Sequence, residues 1–277
     1  MLILTGCLHI SDVLCPNPVT ELSAWKAKRA SRAVDQQVAK SEAWGFWKTL
    51  AWGIPLTLTA VLFQTIGAVA YLGIWRYLHP DQPISIASAA TNGAVIAASL
   101  AVSAPVVILL LISIVRRTKV PITDYLALRW PSWRELGIGV ATLAAVFAVA
   151  GIAASTLGKE SPAFISDTFT TARDAGMLPL LLLSFVFLGP LQEELVFRGF
   201  FLRGFVPAIG VWPAIILTSA VWAVSHGQYE WFFVGEIFGL GLLFGWLRWR
   251  SGSTILTFIL HAAVNGTAVI AAAAGAV

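Results

Sequence analysis

Glu193 and Glu194 stand side by side in a strongly apolar region, with Arg198 one helical turn further on. The run MLPLLLLSFVFLG (177–189) leads into Pro190, and the two carboxylates follow within a turn. Ionisable groups this deep in apolar sequence are costly, which makes them candidates for function. If a helix resumes after Pro190, Glu194 and Arg198 lie at i and i+4 and can pair. Glu193 then points about a quarter-turn away, with no cation near it in sequence. A carboxylate in poorly solvated surroundings resists ionisation, which suits it to take a proton from water near neutral pH. Pro190 has no N–H, so it frees a carbonyl one turn earlier and offers water a way in. A Glu–Arg pair near a helix end can also be a simple interfacial anchor, and Arg203 reads that way.

Three more polar side chains fall in apolar segments. His226 closes WAVSH (222–226), and His261 and Asn265 stand in LHAAVN (260–265) at a spacing that puts both on one helix face. His79, beside Pro80, and His9 read as solvated residues. At about 1.5 Å per residue, His261 and Asn265 lie roughly 10–18 Å from the basic end of their helix, and Glu193 lies at a similar depth. Simple counting leaves His226 nearer the opposite face, where Glu236 could pair with it, unless its helix tilts or starts earlier. Each of these groups would be expensive facing lipid, so a shared polar cavity is expected.

The elements that must position them are membrane helices. The chain is 58% hydrophobic with mean hydropathy +0.81, which excludes an ordinary soluble domain. Several apolar stretches exceed the length needed to cross a bilayer, so the expected fold is all-α, a polytopic transmembrane helical bundle of about seven spans with a polar intramembrane cavity. The spans read as 48–75, 92–115, 136–157, 177 to beyond the Glu pair, 211–226, 231–249 and 254–277. Residues 46–277 form the transmembrane, protease-like domain, with its motif-bearing core at 177–267. Residues 1–45 read as a cytoplasmic tail, partly helical or disordered, whose Lys26, Lys28, Arg29, Arg32 and Lys40 would lie near anionic lipid. Leu4-Thr5-Gly6-Cys7 has the outline of a lipoprotein box, but its apolar run is short and no basic residue precedes it, so no signal peptide is expected. Cys7 and Cys15 are too few for a disulfide framework or a zinc site.

Charge sets the orientation. Fifteen of the eighteen basic residues fall on one side of this span scheme, and only Arg76, Lys159 and Arg173 on the other. This places the N-terminus in the cytoplasm and, with seven spans, the C-terminus outside a plasma membrane. The net charge of +4 therefore reflects topology and is not a nucleic-acid signal. Most tryptophans fall at span ends, as interfacial belts require. Gly235, Gly239, Gly241 and Gly245 make two small-xxx-small pairs that argue for close helix packing.

Three motifs in this order resemble the CAAX-protease and bacteriocin-processing (Abi) family of intramembrane endopeptidases. EExxxR appears as Glu193–Arg198, FxxxH as Trp222–His226 with Trp in place of Phe, and HxxxN as His261–Asn265. The resemblance covers about 177–267 and implies roles. Glu193 would be the general base that activates water, and His226 would orient that water or share its proton. His261 and Asn265 would donate to the oxyanion of the tetrahedral intermediate. Glu194 and Arg198 would support the site. The implied activity is metal-independent hydrolysis of a peptide bond in a peptide or membrane-associated protein. No cofactor is implied. Zinc held by the glutamates and histidines is an alternative, although the HExxH spacing is absent. Two other functions stay open: a non-enzymatic immunity or assembly-partner protein, and a proton-coupled transporter, against which the lack of an internal repeat counts.

Overall fold

The computed structural model describes residues 44–275. The expectations for the tail before Trp44, including Cys7, His9 and Cys15, lie outside these residues. The fold is all-α. Eight helices matter here: α1 Phe46–Leu78, α2 Gly93–Val115, α3 Trp133–Thr156, α4 Ala163–Asp174, α5 Leu178–Ile209, α6 Val211–Val224, α7 Trp231–Ser251 and α8 Thr254–Ala273. Two single-turn helices, Ile86–Ala89 and Ile122–Tyr125, sit in the connections.

All of these except α4 and α6 are long and apolar enough to cross a membrane. The chain is a multi-pass membrane protein. The segment expected as a span over 211–226 is shorter than that: α6 has 14 residues, about 21 Å of rise against a hydrocarbon core of about 30 Å. Its last residue is Val224, so His226 lies beyond the helix, in the turn leading to α7.

Local chemistry sets the boundaries. Asn92 caps α2 by accepting from the Ala94 and Val95 N–H groups, and Ser132 with Glu135 forms a capping box at the start of α3. Ser253 accepts from Leu256 N–H to open α8. Two tight junctions use glycines at positive φ, Gly210 (83°) between α5 and α6 and Gly252 (68°) between α7 and α8.

The apolar interior falls into distinct patches. Leu56, Leu111, Tyr125 and Phe200 bury one between α1, α2 and α5. Trp222, Phe244, Leu247, Leu256 and Leu260 bury another where α6, α7 and α8 meet α3. Ile54, Leu58, Leu62 and Val69 of α1 face outward, as a lipid-facing surface requires. Trp47, Trp130, Trp133, Trp231 and Trp249 are exposed at or beside helix ends, at the interfacial positions expected.

Of the two small-residue pairs in α7, one packs. A Cβ on Gly241 would come within 2.8 Å of Ser219, and one on Gly245 within 2.8 Å of Ile215, so α6 lies directly against this stripe. Gly235 and Gly239 face open space. Helix α4, between the expected spans 136–157 and 177 onward, buries Phe164, Thr168 and Ala172 at intervals of four. It is tied to the start of α2, with the Thr171 hydroxyl accepting from Gly93 N–H (2.8 Å) and the Thr168 hydroxyl donating to the Thr91 carbonyl (3.3 Å).

Candidate active site

Helix α5 carries the carboxylates and is not a plain α-helix. Leu182–Leu188 and Leu195–Phe201 are π-helical, on either side of the α-helical turn Gly189–Glu194. Such i→i+5 turns are uncommon and concentrate at functional sites. Pro190 explains one consequence. In the π register the Ser184 carbonyl accepts from Gly189 N–H, so the next carbonyl, Phe185, falls opposite Pro190, which has no N–H. The Asn265 amide of α8 donates to that carbonyl at 2.8 Å. The carbonyl expected to admit water is thus taken by a side chain. An amide nitrogen carries two protons, so Asn265 keeps a second one.

The two glutamates have different surroundings. Glu194 is fully buried, and its Oε1 meets both Arg198 Nη1 and His261 Nδ1 at 3.0 Å. Arg198 is 2% exposed, and its guanidinium lies 4.3 Å from the Trp222 ring centroid and 5.5 Å from that of Phe244, a cation enclosed by one carboxylate and two aromatic faces. Removing one partner of such a buried pair leaves an uncompensated charge, at about 3–5 kcal/mol. Glu193 is only half-buried. Its Oε2 accepts a 2.6 Å hydrogen bond from the Trp222 indole N–H.

Trp222 joins most of the remaining groups. Its carbonyl accepts from His226 Nδ1 at 2.8 Å. A carbonyl only accepts, so Nδ1 carries the proton and Nε2 of the neutral ring presents a lone pair. The His226 and His261 rings meet Trp222 edge-on, with centroids 5.2 and 5.4 Å away. With His261 Nδ1–H turned to the Glu194 carboxylate, its Nε2 is left for a ligand. The alternative pairing of His226 with Glu236 does not form: His226 contacts Trp222 and Tyr229.

The structure therefore brings Glu193, Glu194, Arg198, His226 and His261 around Trp222, with Asn265 holding the α5 backbone beside them. Two participants were not read from the sequence as site residues. Trp222 figured only as an aromatic substitute for Phe, although an indole N–H is a donor that Phe lacks. Tyr229 stacks on His226 at 6.5 Å and meets Phe164 of α4 edge-on at 5.1 Å. Burial, with the Glu193 carboxylate adding to it, pushes the Tyr229 phenol above its ordinary range. Among the described residues, no three or more His, Cys, Asp or Glu side chains are grouped to hold a metal ion.

Residues 175–267 match the family described as type II CAAX prenyl endopeptidase Rce1-like. The resemblance carried by the three motifs is thereby shown over those residues. The chain is also 30% identical over 131 residues to an uncharacterised 24.3 kDa protein of Escherichia coli. That match takes in 45% of this chain and 60% of the relative, so the chain spans less than two thirds of that protein's length. No solved structure matches.

Proposed function

We propose that this chain is a metal-independent intramembrane endopeptidase, with Glu193 as general base acting on a peptide or membrane-associated protein. The observation that carries the reading is the contrast between the two glutamates. Glu194 is fully buried and engaged at one oxygen by both Arg198 and His261, while Glu193 is half-buried and held at one oxygen by Trp222. Its second oxygen is then the proton acceptor for water.

The steps follow from the donors and acceptors. Glu193 takes a proton from water, whose second proton is held by His226 Nε2. The hydroxide oxygen bonds to the scissile carbonyl carbon, and the carbonyl electrons move to its oxygen. His261, in its protonated form and supported by Glu194, donates from Nε2 to that oxyanion, and the second Asn265 proton adds a donor. The C–N bond then breaks, and the proton on Glu193 passes to the leaving nitrogen, giving a carboxylic acid and an amine. Water access is supported by two buried atoms beside the carboxylates without a protein hydrogen-bond partner, Arg198 Nη2 and Gln192 Oε1. Such atoms are costly unless water reaches them, so a wet intramembrane cavity belongs to the proposal. So do a membrane domain over 46–277, the cytoplasmic N-terminus given by the basic residues, and entry of substrate from that side.

The test is cleavage by the purified protein reconstituted in liposomes. Farnesylated peptides ending in a CAAX sequence and their unlipidated counterparts would be offered, with products read by mass spectrometry. Cleavage lost in Glu193→Ala and Glu193→Gln, with unchanged thermal unfolding, supports the reading. Equal cleavage by these variants, or cleavage lost only on chelation of metal, overturns it.

A further inference from the structure

The basic end of the bundle contains a half-open cavity of about 290 Å3 between the start of α3, the end of α7 and the start of α8. None of the residues proposed for catalysis lines it. It is roomy, about ten times the volume that one water occupies in the liquid. Its floor is apolar, made by Ile138, Leu247 and Leu256, and its rim carries Arg134 and Arg250. Both arginines are exposed, and among the described residues neither is in an ion pair. Arg250 lies over the Trp246 ring at 5.5 Å, which leaves its N–H edge free to bond.

One carboxylate lines the cavity, and it is already occupied. Glu135 accepts from Arg129 Nη2 at 2.6 Å and from the Ser132 N–H at 2.7 Å. Arg129 also donates to the Ser251 carbonyl, which ties the two walls together without a ligand. The cavity therefore presents two uncompensated guanidinium groups above a hydrocarbon floor. Exposed Trp130, Trp133 and Trp249 flank it in sequence, and indole rings in such positions mark the headgroup level of a bilayer.

We infer that this cavity seats the headgroup of an anionic phospholipid, with the phosphodiester between Arg134 and Arg250 and the glycerol ester region on Ile138, Leu247 and Leu256. The shared chemistry is a phosphate anion. A free phosphate would gain nothing from the apolar floor, and a choline headgroup would bring a cation against two arginines. A basic pocket between membrane helices at this depth is suited to an anionic lipid.

Native mass spectrometry of the detergent-purified full chain tests this, with equal amounts of phosphatidylglycerol and phosphatidylcholine. The wild type should retain phosphatidylglycerol preferentially, and Arg134→Gln/Arg250→Gln should lower that retention by roughly tenfold. Ile138→Trp, which fills the cavity without altering charge, should lower it as well. Arg116→Gln/Arg117→Gln, at the same end but outside the cavity, should leave retention unchanged. Equal retention of the two lipids, or equal loss in the Arg116/Arg117 control, overturns the assignment. So does thermal stabilisation by millimolar inorganic phosphate as large as that by phosphatidylglycerol, because the site then takes a soluble anion.

Discussion

The indole N–H of Trp222 donates to Glu193 across 2.6 Å, linking the half-buried carboxylate of α5 to the last full turn of α6. The motif resembled by these residues has Phe at this position, which cannot make the bond. Trp222→Phe keeps most of the buried ring and removes one hydrogen bond to a charged group, worth about 1.5–3 kcal/mol. Peptide cleavage by the folded protein should fall by roughly tenfold or more, with thermal unfolding lowered by no more than the loss of that one bond accounts for. If the rate holds, the contact is packing and nothing else.

Glu194 and Arg198 should behave as a coupled unit. Glu194→Gln or Arg198→Met alone leaves a buried charge and should cost about 3–5 kcal/mol, whereas the double variant should cost much less. Unfolding in mixed micelles gives the coupling energy. Additive costs would show that the 3.0 Å contact contributes nothing as a pair.

Asn265 and Pro190 should couple through the Phe185 carbonyl. Asn265→Leu leaves that carbonyl unsatisfied in the bundle, at about 1–3 kcal/mol. Pro190→Ala supplies an N–H in the π register, so Pro190→Ala/Asn265→Leu should be more stable than Asn265→Leu. A double variant no better than the single would place the carbonyl's partner elsewhere.

Tyr229 should titrate late. Its phenol is pushed above the ordinary value of 10.0 by burial and by the Glu193 carboxylate. The folded form then holds its proton where the unfolded form has lost it, so stability should decline as pH rises through and beyond that ordinary value. The absorbance change missing in Tyr229→Phe identifies the group, and Glu193→Gln should bring its midpoint down. An unshifted midpoint in the wild type would reject the contact.

The glycine stripe of α7 should be asymmetric. Gly245→Leu drives a side chain into Ile215 and should destabilise the bundle by several kcal/mol, while Gly239→Leu, facing open space, should be tolerated. Comparable effects at both positions would mean that another surface covers Gly239.

Much of this protein was legible without coordinates. Hydropathy placed the starts of the six helices long enough to cross a membrane to within a few residues, because a bilayer admits few other backbone solutions, but it also marked the shorter α6 as a span. The spacing of Glu194 and Arg198 implied their pair, and that of His261 and Asn265 their shared face, since helical periodicity is local. Other features depend on several segments meeting. The π turns of α5 leave no compositional trace, and they decide that Phe185, rather than the carbonyl one residue later, is the one freed by Pro190. The end of α6 at Val224 puts His226 in a turn, which no apolar count could reveal. Spacing along α5 already turns Glu194 toward Arg198 and leaves Glu193 without a local cation. Only the packing of α6 and α8 against α5 adds His261 to Glu194 and gives Glu193 to Trp222, because those partners are distant in the chain.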